Sequence, residues 1–478
     1  MSSTPEEPKF PPEERPEDPE ERNLLGIYDQ RQEGLHMQRI KVHRGQLSPA
    51  QFKALAELAR EHTPDYPLHV TTRQDIQLHG VKPGAVPSVQ AAIKDAGLTT
   101  VGACGDSLRN VTTCPENGLQ GGLPDVSQMA DAMRQAGESL PFIRNMPRKF
   151  KMSVSCCTDF CAKPWINDLG LVARNDGTFR AIGAGSLGRR PATGIELYES
   201  IEPSEVVPLT VAALKFFNAE GNREKRYSAR WRHVRERMGN HSFRERLDEE
   251  FKRELREGDW PAPDVPAVSN GLPLQAHLRL PLGDLEADTA LELARSAQEA
   301  GGTIRLGFEH DVFVFAEEEL HLGSNLRSLE GGPRIVACPG TTWCSRGLAD
   351  SRRVERELRE DWPEGLDLSL GFSGCPNNCA HAGVADIGVT GRIKELDGAR
   401  TRCFRLWAGG GKGKTAELGR QLHAVVPQDE IVGAIVRVAQ KYAPAGDGRF
   451  PRFVRQNEDG LIVAVEDEVS IPANGPAG

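Results

Sequence analysis

The 478 residues are too many for one ordinary core and predict two to four domains. Hydrophobic residues make up 38% and charged residues 27%, with no run of eighteen apolar residues, which fits a globular enzyme and excludes an apolar helix spanning a membrane. The formal charge of −9 argues against wholesale nucleic-acid binding.

Residues 1–23 are rich in proline and carboxylates, cannot bury a core, and predict a disordered acidic tail. They hold no apolar signal-peptide core, so a cytoplasmic chain is expected. Ser48 followed by Pro49 opens an apolar stripe of helical period through Arg60. Leu68 to Val81 reads as one strand, and Val86 to Gly97 as a second helix stopped by glycine. This succession suits a ferredoxin-like half-domain. Residues 222–262 are basic, then acidic, and read as a helical connector; the proline-rich stretch 259–266 reads as a linker. The first pattern then returns, with a helix over Ala287 to Ala300 and a strand over Gly302 to Phe315.

The repeat is plainer elsewhere. Cys157-x3-Cys161-Ala with Asp168-x-Gly170 matches Cys375-x3-Cys379-Ala with Asp386-x-Gly388 at an offset of 218 residues. Ala103-Cys104 echoes Ala337-Cys338, and Gly183-Ala184-Gly185 echoes Gly409-Gly410-Gly411. Repetition at this scale predicts a duplicated, pseudo-twofold body rather than a solenoid.

Ten cysteines grouped in short motifs fit reduced thiols and metal binding better than a secreted disulfide framework. Cys338 and Cys344 stand in C-x5-C, and Cys375 and Cys379 in C-x3-C. Four thiolates in two turns suit a [4Fe–4S] cluster, with zinc or unligated thiols as the alternatives that spacing leaves open.

The surrounding residues, Cys-Pro-Gly-Thr-x-x-Cys and Ser-Gly-Cys-Pro-Asn-x-Cys-Ala, resemble the sirohaem sulfite and nitrite reductase family over residues 24 to 450. The resemblance implies an α+β fold with two ferredoxin-like half-domains, 24–98 and 263–330, and two larger lobes, 99–262 and 331–470, with residues 471–478 as a tail. It implies that Cys338, Cys344, Cys375 and Cys379 hold a [4Fe–4S] cluster, and that Cys379 shares its sulfur with the iron of sirohaem. It also implies an anion site formed by Arg73, Arg109, Lys149 and Lys151. Small oxyanions need such cations, arginine as a fork of donors and lysine as a point charge and proton source. On a strand, Lys149 and Lys151 would share one side and Phe150 the other, and Arg73 would share a face with Asp75, Gln77 and His79. The eight carboxylates of sirohaem call for further cations. Arg223, Arg226 and Arg230 match the family's arginine-rich segment, with Arg144 and Arg148 as weaker candidates.

The first half carries Cys104, Cys114, Cys156, Cys157 and Cys161. A second metal site there lacks one ligand by the repeat, because the counterpart of Cys344 falls near Asn110; relic packing or a redox-sensitive thiol pair is the alternative. In some ferredoxin-linked relatives the positions of Cys104 and Tyr28 lie together beside the sirohaem. Cys403 reads as core, and His79 and His381 as structural histidines. Neither glycine run completes a nucleotide fingerprint, so electrons are expected from a ferredoxin or a separate flavoprotein. The resemblance implies sulfite reduction to sulfide, on the Lys-x-Lys pattern. Nitrite reduction to ammonia is the first alternative, with a precorrin-modifying enzyme or a non-catalytic iron–sulfur or zinc scaffold further off.

Overall fold

The structure, a computed structural model, describes residues 18–470 apart from 364, 412, 415 and 444–449. The expected tails 1–17 and 471–478, and Lys412 of the second glycine run, lie outside the described residues.

Two ferredoxin-like sheets form one body. The first runs in the order Ile27–Asp29, His36–Ile40, Ile76–Val81, Leu68–Val70, Asp284–Leu285. The second runs Leu274–Arg279, Asp311–Phe315, Thr303–Leu306, Gln46–Leu47. Each half lends the other a two-residue strand: Leu47 pairs with Ile304 in one sheet, and Leu285 with Leu68 in the other. Helices Pro49–His62 and Ala287–Glu299 pack on each other, burying Phe52, Leu55, Ala59, Leu293 and Ala297 in one continuous core. The expected start of the first helix holds, since the Ser48 hydroxyl accepts from the Gln51 N–H and Gln51 returns the bond.

The two larger lobes share one topology. Leu108–Thr113, Phe150–Ser155 and Leu169–Ala173 are joined in parallel and continue antiparallel through Phe179–Gly183 and Ile195–Ile201. The second lobe repeats this with Arg334–Ala337, Ser369–Ser373, Ile387–Leu396, Ala399–Ala408 and Arg420–Pro427. The 218-residue offset survives in backbone detail. Phe160 and Asn378 have φ of 60° and 58°, and Lys163 and His381 have 53° and 58°. The Asp168 carboxylate accepts the Lys151 N–H at 2.8 Å, and Asp386 accepts the Ser369 N–H at the same distance. A Cβ on Gly170 would sit 2.5 Å from the Pro164 Cα, and one on Gly388 would sit 2.0 Å from the Ala382 carbonyl, so both turns need glycine to close on their strand.

Four local expectations are corrected. Leu68 to Val81 is two strands, because the Thr71 hydroxyl accepts from the N–H groups of Arg73 and Asp75 and turns the chain, with Gln74 at φ 57°. Arg73 therefore sits at a turn and not on a strand face with Asp75, Gln77 and His79. Gly302 to Phe315 likewise divides, at Gly307–His310, where the Asp311 carboxylate accepts the Glu309 N–H. The acidic tail ends early: Asp18 caps a helix over Pro19–Leu24, and Arg22 is buried against Asp29. Finally, 222–262 is more than a connector. Residues 222–230 precede the helices, and Trp231–Met238 and Asn240–Glu257 bury Trp231, Phe243, Leu247 and Phe251 in the core of the first lobe.

Candidate functional site

Cys338 and Cys375 come from turns that follow the parallel strands Arg334–Ala337 and Ser369–Ser373. Close glycine contacts hold the turns together. A Cβ on Gly374 would lie 2.6 Å from the Gly340 Cα, and one on Gly347 would lie 2.3 Å from the Gly340 carbonyl oxygen. The Leu348 and Ala349 N–H groups both donate to the Gly374 carbonyl, at 2.8 and 2.9 Å. From the first half-domain, the Arg31 N–H donates to the Trp343 carbonyl at 2.8 Å and its guanidinium to the Gly347 carbonyl at 2.6 Å.

Backbone donors converge on the sulfurs. Gly374 N–H lies 3.1 Å from Cys338 Sγ, Arg346 and Gly347 donate to Cys344, and Asn377 donates to Cys375. Burial pushes the Cys338 thiol up to about 11, with the neighbouring Cys379 sulfur adding to the effect. Cys344 and Cys375 are raised by the same two causes, burial first. Four neighbouring sulfurs, three of them supplied with N–H donors, suit a metal centre that stabilises thiolates and takes its potential partly from N–H···S bonds. Cys338, Cys344 and Cys375 are enclosed to differing degrees, whereas Cys379 is exposed.

The side of Cys379 is walled by cations. Phe150 points into the core beside Phe217 and Trp231, so Lys149 and Lys151 emerge on the other face, as strand alternation requires. Burial brings Lys149 down to about 7, helped by Arg148, Arg230 and Arg109 and opposed by Cys379. Lys151 is held well below the usual lysine range by burial, then by Arg73, Lys149 and Arg230, again opposed by Cys379. No carboxylate pairs with either ammonium among the described residues.

Arg109 is buried and braces the 102–105 turn through the Gly102 and Gly105 carbonyls at 3.0 and 2.5 Å. Arg73 donates to Asn167 Oδ1 at 2.8 Å and the Asn110 carbonyl at 2.7 Å, while its buried Nε has no partner. Thus Arg73, Arg109, Lys149 and Lys151 do meet, although Arg73 and Arg109 spend part of their donor capacity on the backbone.

The outer arginines divide. Arg230 forks onto the fully buried Asp168, at 2.7 and 3.3 Å, and still faces both lysines. Arg148 and Arg226 share the Asp106 carboxylate. Exposed Arg223 binds the Asn145 carbonyl at 3.0 Å, next to half-buried Arg144. These form a rim rather than a wall. A rim of arginines with few balancing carboxylates, and a partnerless buried Nε inside it, fits a multiply anionic cofactor.

Arg39 is the cation that sequence reading missed. It interacts with Cys104, Asp75, Tyr28 and Cys379, and stands in the field of Arg109. It lies on His36–Ile40, outside the motifs that carry the other cations, and strand pairing with Ile76–Val81 brings it to the site. Tyr28 and Cys104 both act on Arg109, which places them on this same side. His79 packs against Trp343, with ring centroids 4.4 Å apart, and is buried, a packing role. Cys403 is core. The glycine runs close turns: Ala184 N–H donates to the Asp168 carbonyl and Gly409 N–H to the Asp386 carbonyl, so neither amide is left for a phosphate.

Comparison with known proteins gives the family. The profile described as "Nitrite and sulphite reductase 4Fe-4S domain" matches residues 104–255 and 333–453, and "Nitrite/Sulfite reductase ferredoxin-like half domain" matches 28–96. An assimilatory ferredoxin-dependent nitrite reductase of Haloferax mediterranei is 30% identical, over 87% of this chain and 81% of its own length. A ferredoxin sulfite reductase of Mycobacterium tuberculosis is 28% identical, over 91% and 88%. The solved structure of Mycobacterium tuberculosis NirA shares the fold, with a TM-score of 0.78 at 24% identity over 92% of this chain and 90% of that one. No helix among the described residues is long and apolar enough to cross a membrane.

Proposed function

The chain belongs to the nitrite and sulfite reductase family, whose cofactors are sirohaem and a [4Fe–4S] cluster, and on that premise we propose that it reduces sulfite to sulfide with electrons from a ferredoxin-type protein. Residues 24–98 and 263–330 are read as the half-domains and 99–262 and 331–470 as the cofactor-binding lobes. Cys338, Cys344, Cys375 and Cys379 are the cluster ligands in this reading, and Cys379, the exposed sulfur facing the cations, is the link to sirohaem. Arg144, Arg148, Arg223, Arg226 and Arg230 are its carboxylate contacts.

When bound, the cofactor pair supplies electrons one at a time to an anion held at the iron. This chain's residues do the rest. Arg73 and Arg109 are braced on carbonyls and hold fixed positive charge without reorganisation. Lys149 and Lys151 offset the anion's charge. Because burial lowers their proton affinity, they can also pass protons to oxygen leaving as water, and solvent reprotonates them.

The observation that carries sulfite over nitrite is Lys151. Two lysines on one face without a carboxylate partner can match two anionic charges by taking up protons as the anion binds, and sulfite reaches the dianion near neutral pH where nitrite stays a monoanion. Nitrite is the second reading, supported by the several nitrite reductases among the relatives. The test is the ratio of kcat/KM for sulfite and nitrite in the wild type and in Lys151→Asn. Loss of one charge-assisted contact, about 1.5–3 kcal/mol, should lower the sulfite value roughly tenfold to a hundredfold and spare nitrite. A wild type that prefers nitrite, or a ratio that does not move, transfers the assignment to nitrite.

A further inference from the structure

The first lobe gathers a second set of sulfurs, away from the four cysteines above. Its turn at 156–163 is the pseudo-symmetric partner of the turn at 374–381, with the same two left-handed positions. It carries Cys157 and Cys161 where the other lobe carries Cys375 and Cys379. The repeat places Asn110 where a third ligand would stand, and Asn110 is otherwise engaged, donating to the Val42 carbonyl at 2.6 Å. Cys114, just past the end of Leu108–Thr113, comes in instead. Its Sγ is 3.9 Å from that of Cys157, which is 3.6 Å from that of Cys161. Among the described residues, these three form the one group of His, Cys, Asp or Glu whose ligand atoms all lie within 4.8 Å of one another.

These separations have a geometric meaning. A zinc–thiolate bond is about 2.3 Å, so two sulfurs on one tetrahedral ion stand about 3.8 Å apart. An iron–sulfur cubane is wider than a single ion and would hold its thiolates out of contact. We propose that Cys114, Cys157 and Cys161 hold a single soft divalent ion of the zinc class, as a structural site separate from the cluster and independent of the sirohaem reading. Such an ion would join the end of a central strand to the 156–163 turn. That turn in turn touches the second half-domain, through Lys163 Nζ and the Phe308 carbonyl at 3.3 Å.

The ion has a route in. Cys161 lines a cavity of about 330 Å³ that also exposes Glu116 and Asp159. These carboxylates give the mouth negative charge. The fourth coordination position is open to water from this cavity, which leaves three sulfurs on the ion.

The test uses the full holoenzyme purified without chelators. Elemental analysis should find about one zinc per chain beside the iron, and X-ray absorption at the zinc edge should show about three sulfurs at about 2.3 Å. The double variant Cys157→Ser, Cys161→Ser should lose the zinc and keep the iron and the cofactor spectrum. If that variant does not fold, wild-type holoenzyme produced on cobalt should show thiolate-to-cobalt charge-transfer bands. Zinc-free wild type with full iron overturns the proposal, whether its five first-lobe thiols all alkylate or Cys157 and Cys161 are recovered as a disulfide. Zinc coordinated without sulfur, or cobalt protein without those bands, overturns it equally.

Discussion

The Thr72 hydroxyl donates to the Cys379 carbonyl at 3.1 Å, across 307 residues of sequence. One hydrogen bond thus joins the turn that carries Arg73 to the turn that carries the exposed cysteine. It couples the position of the anion-facing cations to the position of the sulfur they face. Thr72→Val keeps the shape and removes the donor. A net bond of about 0.5–1.5 kcal/mol predicts a kcat/KM reduced about twofold to tenfold with iron content unchanged. Steady-state kinetics paired with iron analysis checks both halves.

Lys149 predicts a pH dependence. Burial lowers its folded pKa from the lysine range to about 7, with Arg148, Arg230 and Arg109 acting in the same sense. The protonated form binds the anion, so binding is strongest below that value and weakens as pH rises through it. KM for the anion should therefore climb on the alkaline side of neutrality. In Lys149→Arg, where this cation no longer titrates, that rise should shrink to what Lys151 contributes. The stability effect has the opposite sense. Above pH 7 the unfolded chain holds a proton that the folded chain has lost, so this residue's contribution to stability grows with pH until the unfolded lysine titrates.

Asp168 is fully buried and holds both Arg230 and the Lys151 N–H. Asp168→Asn keeps an acceptor for the N–H but leaves Arg230 without its counter-charge. Breaking a buried pair on one side costs about 3–5 kcal/mol. Urea unfolding should show a loss of that order, and sulfite turnover should fall as Arg230 and Lys151 shift.

Gly374 tests the packing of the cysteine turns. Gly374→Ala places a Cβ 2.6 Å from the Gly340 Cα and 2.7 Å from the Ala349 carbonyl oxygen, where backbone must move. The Gly374 N–H that donates to Cys338 moves with it. Iron content should drop in this variant. Gly460→Ala, in the helix Phe450–Glu466 with nothing within 4 Å of the added carbon, should retain it.

Cys379→Ser separates the two roles given to that sulfur. As a cluster ligand alone, its loss would weaken iron retention. As a link as well, it should also change the optical spectrum of whatever sirohaem remains and abolish anion turnover. A variant that turns over sulfite with an unaltered spectrum would remove the link role.

What was legible in the sequence was local or repeated. The Ser48–Gln51 capping box acts within four residues, and Lys149-Phe150-Lys151 places its charges by strand alternation alone. The 218-residue repeat foretold paired lobes because each copy solves the same backbone problem with the same left-handed and close-packed positions. Tertiary structure alone decided the rest. Thr71 turns the chain through its own hydroxyl, a competition between side chain and ladder that an alternating pattern does not reveal. Arg39 reaches the site through strand pairing, Arg230 is drawn onto buried Asp168, and Cys114 comes to lie beside Cys157 and Cys161. Each of these depends on which distant backbone comes to lie alongside. That is set by burial of the shared core rather than by neighbouring residues, so spacing along the chain carries no record of it.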